Sequence, residues 1–166
     1  RCNLVTIKDG MMVDYSAGHI STDEANDLIQ ALQNKIDNSE VYFHIGVQYR
    51  HLLIWDDGPN DVECIPPHEI ADQEIKNYLP KGSRANELIQ LIEKSKIIFA
   101  DHPVNKKRIA EGKAPATQIW LWGQGASMQI ESYQNLYELG GGIISAVDLL
   151  KGLAKLSGLS APDIPG

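Results

Sequence analysis

The stretch DHPVNKKRIAEGK, residues 101–113, concentrates positive charge in a chain that is otherwise acidic. Asn105, Lys106 and Arg108 lie close to a helix start, which Pro103 favours. An arginine offers a planar bidentate fork, an asparagine offers an amide donor, and the N–H groups at a helix start favour anions. This spacing predicts a site for a phosphate or a carboxylate. A solvated basic helix face stays open as the alternative.

Two further positions could contact the same anion. Arg50 lies in the apolar run YRHLLIW, where strand alternation places it on the face opposite His51. It is either a surface residue of an edge strand or a ligand anchor. His19 ends a Gly-containing loop, where its side chain either contacts a ligand or hydrogen-bonds the backbone.

Composition limits the class of partner. The 166 residues carry a formal net charge of −7 and are 43% hydrophobic, which is ordinary for one globular domain with a core, alone or with part of a second. The acidic balance argues against nucleic acid as a partner, since a polyphosphate backbone needs a broad basic face, whereas a small anion needs only a local one. Two cysteines, Cys2 and Cys64, without CxxC spacing predict free thiols in the reducing cytosol. No apolar run approaches the ~18 residues of a membrane span, so a cytoplasmic location is expected.

The pattern of apolar residues predicts an α/β protein in two pieces. Residues 1–139 show paired strands and helices, which indicates an α+β domain with a mixed sheet and flanking helices. Ser21 and Glu24 form a capping-box pattern ahead of the first helix. Residues 140–166 show glycines, an apolar strand and a helix, which indicates the first βα unit of a truncated neighbour. The start at Arg1 without methionine, and the end without a tail, predict a segment of a longer polypeptide.

The sequence contains none of the common catalytic motifs. It has no GxGxxG after a strand, no GxxxxGK[ST], no HExxH and no GxSxG, and no Asp and His cluster of a metal site. Candidate ligand anchors without a nucleophile, a base or a metal are typical of a substrate-binding domain.

Several segments together resemble one known family along nearly the whole chain. The chain is similar, in the same order, to the archaeal-type 2,3-bisphosphoglycerate-independent phosphoglycerate mutases, which also occur in many bacteria. The segments that carry the resemblance are RCNLVTI, SAGHI, YRHLLIW, DHPVNKKRIAEGKAPA, IWLWGQG and IISAVDLLKGLAKLSG.

The resemblance implies an enzyme of the alkaline phosphatase superfamily. In such enzymes a phosphatase-like domain holds two divalent metals, Mn or Mg, and a serine that is transiently phosphorylated, and an inserted domain binds the phosphorylated hydroxy acid. The chain would be that insert, residues 1–139, followed by the start of the returning phosphatase-like domain, residues 140–166. Interconversion of 2- and 3-phosphoglycerate, a step of glycolysis, would belong to the parent protein. The segment itself would bind no metal and would not be catalytic, because the serine and the metal ligands of the family are absent from it.

The resemblance also selects substrate-binding candidates. Arg1, Arg50, Asn105 and Arg108 fall on motif positions, and Lys106 lies within the same basic run. In SAGHI this chain has His19 where the family pattern has an arginine. A histidine can still donate a hydrogen bond, but its charge near neutral pH differs from that of arginine.

Two alternatives stay open. The bacterial branch of the family includes proteins suspected of acting on homoserine, and the shared motifs do not separate the two activities. A non-catalytic ligand-binding module is a third hypothesis.

Overall fold

A computed structural model describes residues 1–163, which fall into two compact units, Arg1–Gly125 and the residues from Ala126 onward. The α/β class predicted from the sequence is confirmed. The strands are β1 (Cys2–Lys8), β2 (Met11–Asp14), β3 (Val41–His44), β4 (Arg50–Trp55) and β5 (Gln118–Leu121). The α-helices are α1 (Thr22–Gln33), α2 (Ala85–Ala100), α3 (Pro103–Ala110), α4 (Tyr133–Tyr137) and α5 (Asp148–Leu156). Within residues 1–163, no helix is both long and apolar enough to cross a membrane.

Strand β1 is the centre of the sheet. It pairs with β2, β4 and β5, and β3 extends the sheet beyond β4. All of these strand pairs are antiparallel, so the expected mixed sheet is instead antiparallel in the described strands. The reason is local, because a turn at Asp9–Gly10, with positive φ at both residues, reverses the chain between β1 and β2, and a short loop does the same between β3 and β4.

The alternation of β1 divides the core into two. Cys2 and Leu4 face the helices and pack with residues of β5 and of all three helices α1, α2 and α3. Val5 faces the opposite side and packs with Met12, Ile70 and Trp120. This second cluster lies beneath the loop-rich segment 56–83, since the Trp120 indole donates a 2.8 Å hydrogen bond to the carbonyl of Ile65. The long loop is therefore attached to one face of the sheet.

The helix boundaries follow from capping. The predicted capping box at α1 is confirmed, since the Ser21 hydroxyl accepts from the Glu24 amide and the Glu24 carboxylate accepts from the Ser21 amide. At α3, the His102 imidazole accepts from the Val104 amide and Pro103 occupies the first turn. The basic run is thus a short helix whose first turn is fixed by its own side chains.

The described residues of the unit from Ala126 onward do not form the predicted strand. Within its described residues, strand-like pairing is limited to one isolated β-bridge between Gly142 and Ser160. Helix α5 lies between these two residues in the chain. A strand forms only by pairing, and this unit offers no neighbouring strand in its described part. Its apolar side chains are consequently exposed at Leu136, Tyr137, Leu139, Ile144, Val147, Leu149, Leu150, Leu153 and Leu156. The domain boundary between residues 139 and 140, and the relation of 140–166 to a phosphatase-like domain, stay predictions, and residues 164–166 lie outside the described part.

Candidate anion-binding site

Arg1 and Arg50 lie on one face of the sheet. The register pairs Asn3 with Arg50 and Cys2 with His51, so the position opposite Arg1 is that of Leu52. Arg1 and Arg50 are then diagonal neighbours on adjacent strands, a relationship in which side chains start about 7–8 Å apart. Both side chains are exposed, and both are long enough to reach a common small anion. The structure therefore brings together two of the six residues predicted from the sequence.

Each of these two arginines lies over an aromatic ring. The Arg1 guanidinium carbon is 4.8 Å from the centroid of the Trp122 ring, and that of Arg50 is 5.5 Å from the centroid of the Tyr49 ring. Such cation–π contacts attract a guanidinium to the face of an aromatic ring. The N–H edge is the part that recognises a phosphate or a carboxylate.

Asn3 connects the strands beneath the two arginines. Its side chain is almost fully buried, donates a 3.3 Å hydrogen bond to the carbonyl of Tyr15 and accepts a 3.0 Å hydrogen bond from the Trp122 indole. The Trp122 ring lies under Arg1, and the Tyr15 carbonyl begins the loop that carries His19. Asn3 therefore fixes both the ring that supports Arg1 and the first residue of that loop.

An aromatic wall completes this face. The Tyr15 ring lies edge-to-face with Tyr49 and with His68, each at 6.3 Å between centroids, and His68 lies edge-to-face with Trp122 at 5.5 Å. We call this set the arginine face. Its members are Arg1, Asn3, Tyr15, Tyr49, Arg50, His68 and Trp122.

His19 belongs to the loop that follows Tyr15. Its side chain is exposed, its φ is +48°, and its amide donates to the Ser16 hydroxyl at 3.3 Å. Asp14, at the start of the loop, accepts from the amides of Ser16 and Gly18, each at 2.7 Å. Partial burial acts to raise the pKa of Asp14, but a 2.6 Å hydrogen bond from the Ser16 hydroxyl and the two from the amides outweigh it and lower the pKa, so the carboxylate is ionised at neutral pH. The loop is thereby organised around one carboxylate.

Arg108 occupies a different environment from Arg1 and Arg50. Its side chain is 2% exposed and forms a 2.7 Å ion pair with Glu24. Its remaining N–H groups donate to backbone carbonyls, those of Ala114 and Ala17 at 2.8 Å and that of Gly18 at 3.3 Å. The guanidinium thus binds internal acceptors. Its predicted contact with substrate stays a prediction, which these bonds do not favour.

Asn105 and Lys106 also have partners within the chain. The buried Asn105 amide donates to the carbonyls of Phe99 and Ala116 and accepts from the Ala116 amide, at 2.7–3.0 Å. The exposed Lys106 ammonium lies 3.1 Å from the Asp101 carboxylate. The buried pair Asn105 and Arg108 therefore joins α3 to its surroundings, and Lys106 remains on the surface. A substrate contact of Asn105 or of Lys106 stays a prediction.

Sequence reasoning missed most of the aromatic wall. Asn3 carried a signal, since it is a polar residue entering an apolar strand and it belongs to the RCN motif. His68 and Tyr15 carried none, because their meeting depends on how the 56–83 loop folds back onto the sheet. Long-range closure of this kind is not encoded in residue spacing.

The described residues do not form a metal centre. Among residues 1–163, no group of three or more His, Cys, Asp or Glu side chains is arranged so that it could hold a metal ion. The donor set that the family resemblance implies for Mn or Mg is therefore not matched by the described part of this chain.

Comparison with known proteins identifies the family. The model of the 2,3-bisphosphoglycerate-independent phosphoglycerate mutases matches residues 1–105, which is more than half of the chain. The chain belongs to this family. The phosphoglycerate mutase of Methanosarcina barkeri is 48% identical over the whole chain, and the probable enzyme of Geobacter sulfurreducens is 42% identical.

Solved structures agree with the fold. A cofactor-independent phosphoglycerate mutase from Thermoplasma acidophilum superimposes with a TM-score of 0.63 at 26% identity, over 99% of this chain and 47% of that one. The PH0037 protein from Pyrococcus horikoshii superimposes with a TM-score of 0.64 at 16% identity, over 97% of this chain and 36% of that one, and so supports the fold alone. The chain spans only 42–43% of the length of the Methanosarcina and Geobacter relatives.

Proposed function

We propose that this chain is the substrate-binding part of a phosphoglycerate mutase, and that Arg1 and Arg50 bind the phosphate or the carboxylate of the phosphoglycerate. One observation carries the proposal. The register of β1 and β4 makes these two arginines diagonal neighbours, each lying over an aromatic ring on the same face. Family membership supplies the substrate class, since the relatives are named as mutases of this compound.

A small dianion suits the arginine face better than a large one. Two guanidinium groups can neutralise a phosphate dianion, and their planar forks match its oxygens. The chain as a whole has a net charge of −7, so attraction for an anion has to come from local groups such as this pair. The aromatic wall presents a low-polarity surface beside the charges, which strengthens their effect on a bound anion.

The remaining predicted residues take different parts in the proposal. His19 is a third donor to the substrate, delivered by the 14–20 loop. Asn105 and Arg108 act behind the site, through backbone contacts rather than through substrate. Lys106 is an outer, exposed charge.

The chemistry of the reaction is a phosphoryl transfer between two hydroxyl groups of one glycerate. A divalent metal pair and a serine would supply the transfer itself, and we assign both to the part of the relatives that this chain does not span. The residues of this chain would hold the glycerate in one orientation and limit the access of water. A remaining phosphatase-like domain of the same polypeptide is thus the proposed partner, and a cytoplasmic location stays a prediction.

Binding of 3-phosphoglycerate to the 166-residue chain tests the proposal. The titration would be followed by NMR, because half of a two-sided site binds weakly. We expect Arg1→Gln and Arg50→Gln each to weaken binding about tenfold or more, in line with the loss of a charge-assisted contact. Arg84→Gln is the matched control, because Arg84 also lies over an aromatic ring, that of Trp55, but it precedes helix α2 and is paired with Glu87. Equal effects of all three substitutions, or no binding by the unmodified chain, would refute the proposed site.

Activity is tested in a polypeptide of the relatives' length that contains this segment. Formation of 2-phosphoglycerate from 3-phosphoglycerate with Mn²⁺ would be followed by coupling to enolase. Loss of this activity in Arg50→Gln, with the circular dichroism spectrum unchanged, is the expected result. Turnover of homoserine with ATP in its place would restore the homoserine alternative, which the names of the relatives do not favour.

A further inference from the structure

Three consecutive residues of the 14–20 loop adopt left-handed backbone. The φ angles are +51° at Ala17, +64° at Gly18 and +48° at His19. Left-handed conformations are unfavourable for residues with a β-carbon, because the β-carbon then lies too close to the backbone. A run of this kind persists only when surrounding contacts fix it.

Arg108 supplies the contacts from below the loop. Its Nη2 donates to the carbonyl oxygens of Ala17 and Gly18, and its Nη1 binds Glu24 at the start of α1. The fit is close, because a β-carbon at Gly18 would lie 3.0 Å from Arg108 Nη2 and 3.0 Å from the Ala114 β-carbon. The guanidinium of Arg108 therefore packs closely against the left-handed turn at Gly18.

The other side of the loop carries residues of the proposed site. Tyr15, two residues before Ala17, is held at its carbonyl by Asn3 and contacts His68 and Tyr49 with its ring. His19 is the last residue of the left-handed run, and its side chain is exposed. The turn therefore connects a buried arginine to His19, an exposed residue that we assign to the proposed site.

We propose that Arg108 is a positioning residue, which holds the left-handed turn at Ala17–His19 and so delivers His19 to the substrate without touching it. This inference rests on the proposed function for the role of His19. The basic run at α3 then serves the site indirectly, since its one fully buried cation organises a loop and its exposed lysines do not.

The experiment compares Arg108→Lys with Glu24→Gln in the 166-residue chain. A lysine keeps the charge but cannot bind Glu24 and three carbonyls together. Glu24→Gln keeps the capping box and removes the charge partner of Arg108. It therefore tests whether Arg108 holds the turn even if Arg108→Lys fails to fold. Lys107→Gln is the control, because Lys107 is an exposed neighbour on the same helix. The first readout is the backbone conformation of Ala17–His19 from NMR coupling constants and chemical shifts.

The second readout is a double-mutant cycle on binding of 3-phosphoglycerate, with His19→Gln as the other member. We expect Arg108→Lys and His19→Gln each to weaken binding about tenfold, and the double variant about tenfold rather than the ~100-fold of independent sites. We also expect the left-handed signature to be lost in Arg108→Lys, reduced in Glu24→Gln and kept in Lys107→Gln.

Two results would overturn the inference. One is a turn that keeps its left-handed conformation in both Arg108→Lys and Glu24→Gln, and the other is additive losses in the cycle. Absence of 3-phosphoglycerate binding in the unmodified chain would instead remove the proposed function and with it the delivery of His19. In that case the backbone readout still decides whether Arg108 holds the turn.

Discussion

The guanidinium of Arg108 and the carboxylate of Glu24, 84 residues apart in the chain, form a 2.7 Å ion pair in which the arginine side chain is 2% exposed and the glutamate side chain 20%. The pair joins the buried face of α3 to the first turn of α1. Because Arg108 also binds three backbone carbonyls, the contact fixes two helices and a loop at once. Breaking a pair of this kind leaves a buried charge and several acceptors without partners.

Loss of Arg108 is expected to destabilise the chain strongly. Arg108→Met keeps the apolar stem but removes every donor, and we expect a loss of about 3–5 kcal/mol in the free energy of unfolding. Urea unfolding followed by circular dichroism measures this. Lys107→Met, on the exposed side of the same helix, is expected to change stability by less than about 0.5 kcal/mol. Similar losses in the two variants would mean that the buried pair contributes little.

Glu24 gives the pair a pH dependence. Partial burial acts to raise the pKa of Glu24, but hydrogen bonds from Ser21 and the charge of Arg108 outweigh it, so the pKa lies below its usual 4.5. Its contribution to stability is therefore complete above pH 4.5 and is lost as the pH falls through the lower pKa of the folded state. We expect the stability difference between the unmodified chain and Glu24→Gln to be constant near neutral pH and to shrink on acidification. A difference that grows as the pH falls would contradict this assignment.

His51 provides a second case, in which the lowered pKa belongs to a base and again makes stability fall on acidification. It is 3% exposed, its Nδ1 accepts from the Gly46 amide, and burial lowers its pKa from 6.5 to about 4, with a weaker backbone hydrogen bond at Gln48 acting the other way. Between these two pH values the unfolded chain binds a proton that the folded chain does not, so stability falls as the pH drops from 6.5 towards 4. Over this pH range the free energy of unfolding decreases by about 3 kcal/mol because of His51.

The substitution His51→Gln measures the contribution of His51 to the pH dependence of stability. Glutamine can accept from the Gly46 amide but does not titrate, so we expect the variant to lose less stability than the unmodified chain between pH 6.5 and pH 4. Urea unfolding at a series of pH values gives both curves. Parallel curves would show that the imidazole of His51 remains accessible to protons in the folded state.

The sequence predicted the elements better than it predicted the roles of their residues. The capping box of α1 and the start of α3 at Pro103 follow from local contacts, which spacing reveals. Arg108 was expected to bind substrate because of its type and its basic neighbours. In the structure Val104 and Arg108, four residues apart, are both buried on α3, and the guanidinium binds acceptors within the chain, so its contact with substrate stays a prediction.

The predicted strand near residues 142–147 failed for a related reason. Its apolar residues indicate burial, but a strand needs a partner whose position the local sequence does not specify. Arg50 shows the opposite outcome, because alternation along a strand placed it opposite to His51, and the structure has one exposed and the other buried. The periodicity of β4 therefore predicted which side chains are exposed. The strand expected near residues 142–147 depended on pairing with a distant segment, which the local sequence does not specify.

The two cysteines are expected to differ in reactivity. Burial raises the pKa of Cys2 to about 12, and it also raises the pKa of the half-buried Cys64. Since the thiolate is the reactive form, Cys2 should react only on unfolding and Cys64 slowly in the folded state. Titration with a disulfide reagent, with and without denaturant, counts the thiols, and Cys64→Ser should abolish the reaction of the folded chain. Rapid reaction of Cys64→Ser without denaturant would contradict the buried position of Cys2.

A comparison of two glycines measures how closely the turn fits Arg108. Gly18 and Gly112 both have positive φ, +64° and +72°, so an alanine at either position incurs the backbone cost of about 1 kcal/mol. A β-carbon at Gly112 meets no atom within 4 Å, whereas at Gly18 it lies 3.0 Å from the Arg108 Nη2 and the Ala114 β-carbon. We expect Gly112→Ala to cost about 1 kcal/mol in urea unfolding and Gly18→Ala to cost about 1–3 kcal/mol more, the usual range for overpacking.

The excess cost at Gly18 should depend on Arg108. In an Arg108→Met background the guanidinium is gone, so the difference between Gly18→Ala and Gly112→Ala is expected to narrow. An unchanged difference would assign the close contact to Ala114 alone. Narrowing would establish that Arg108 and the left-handed turn form one structural unit, which is the physical condition for Arg108 to position His19.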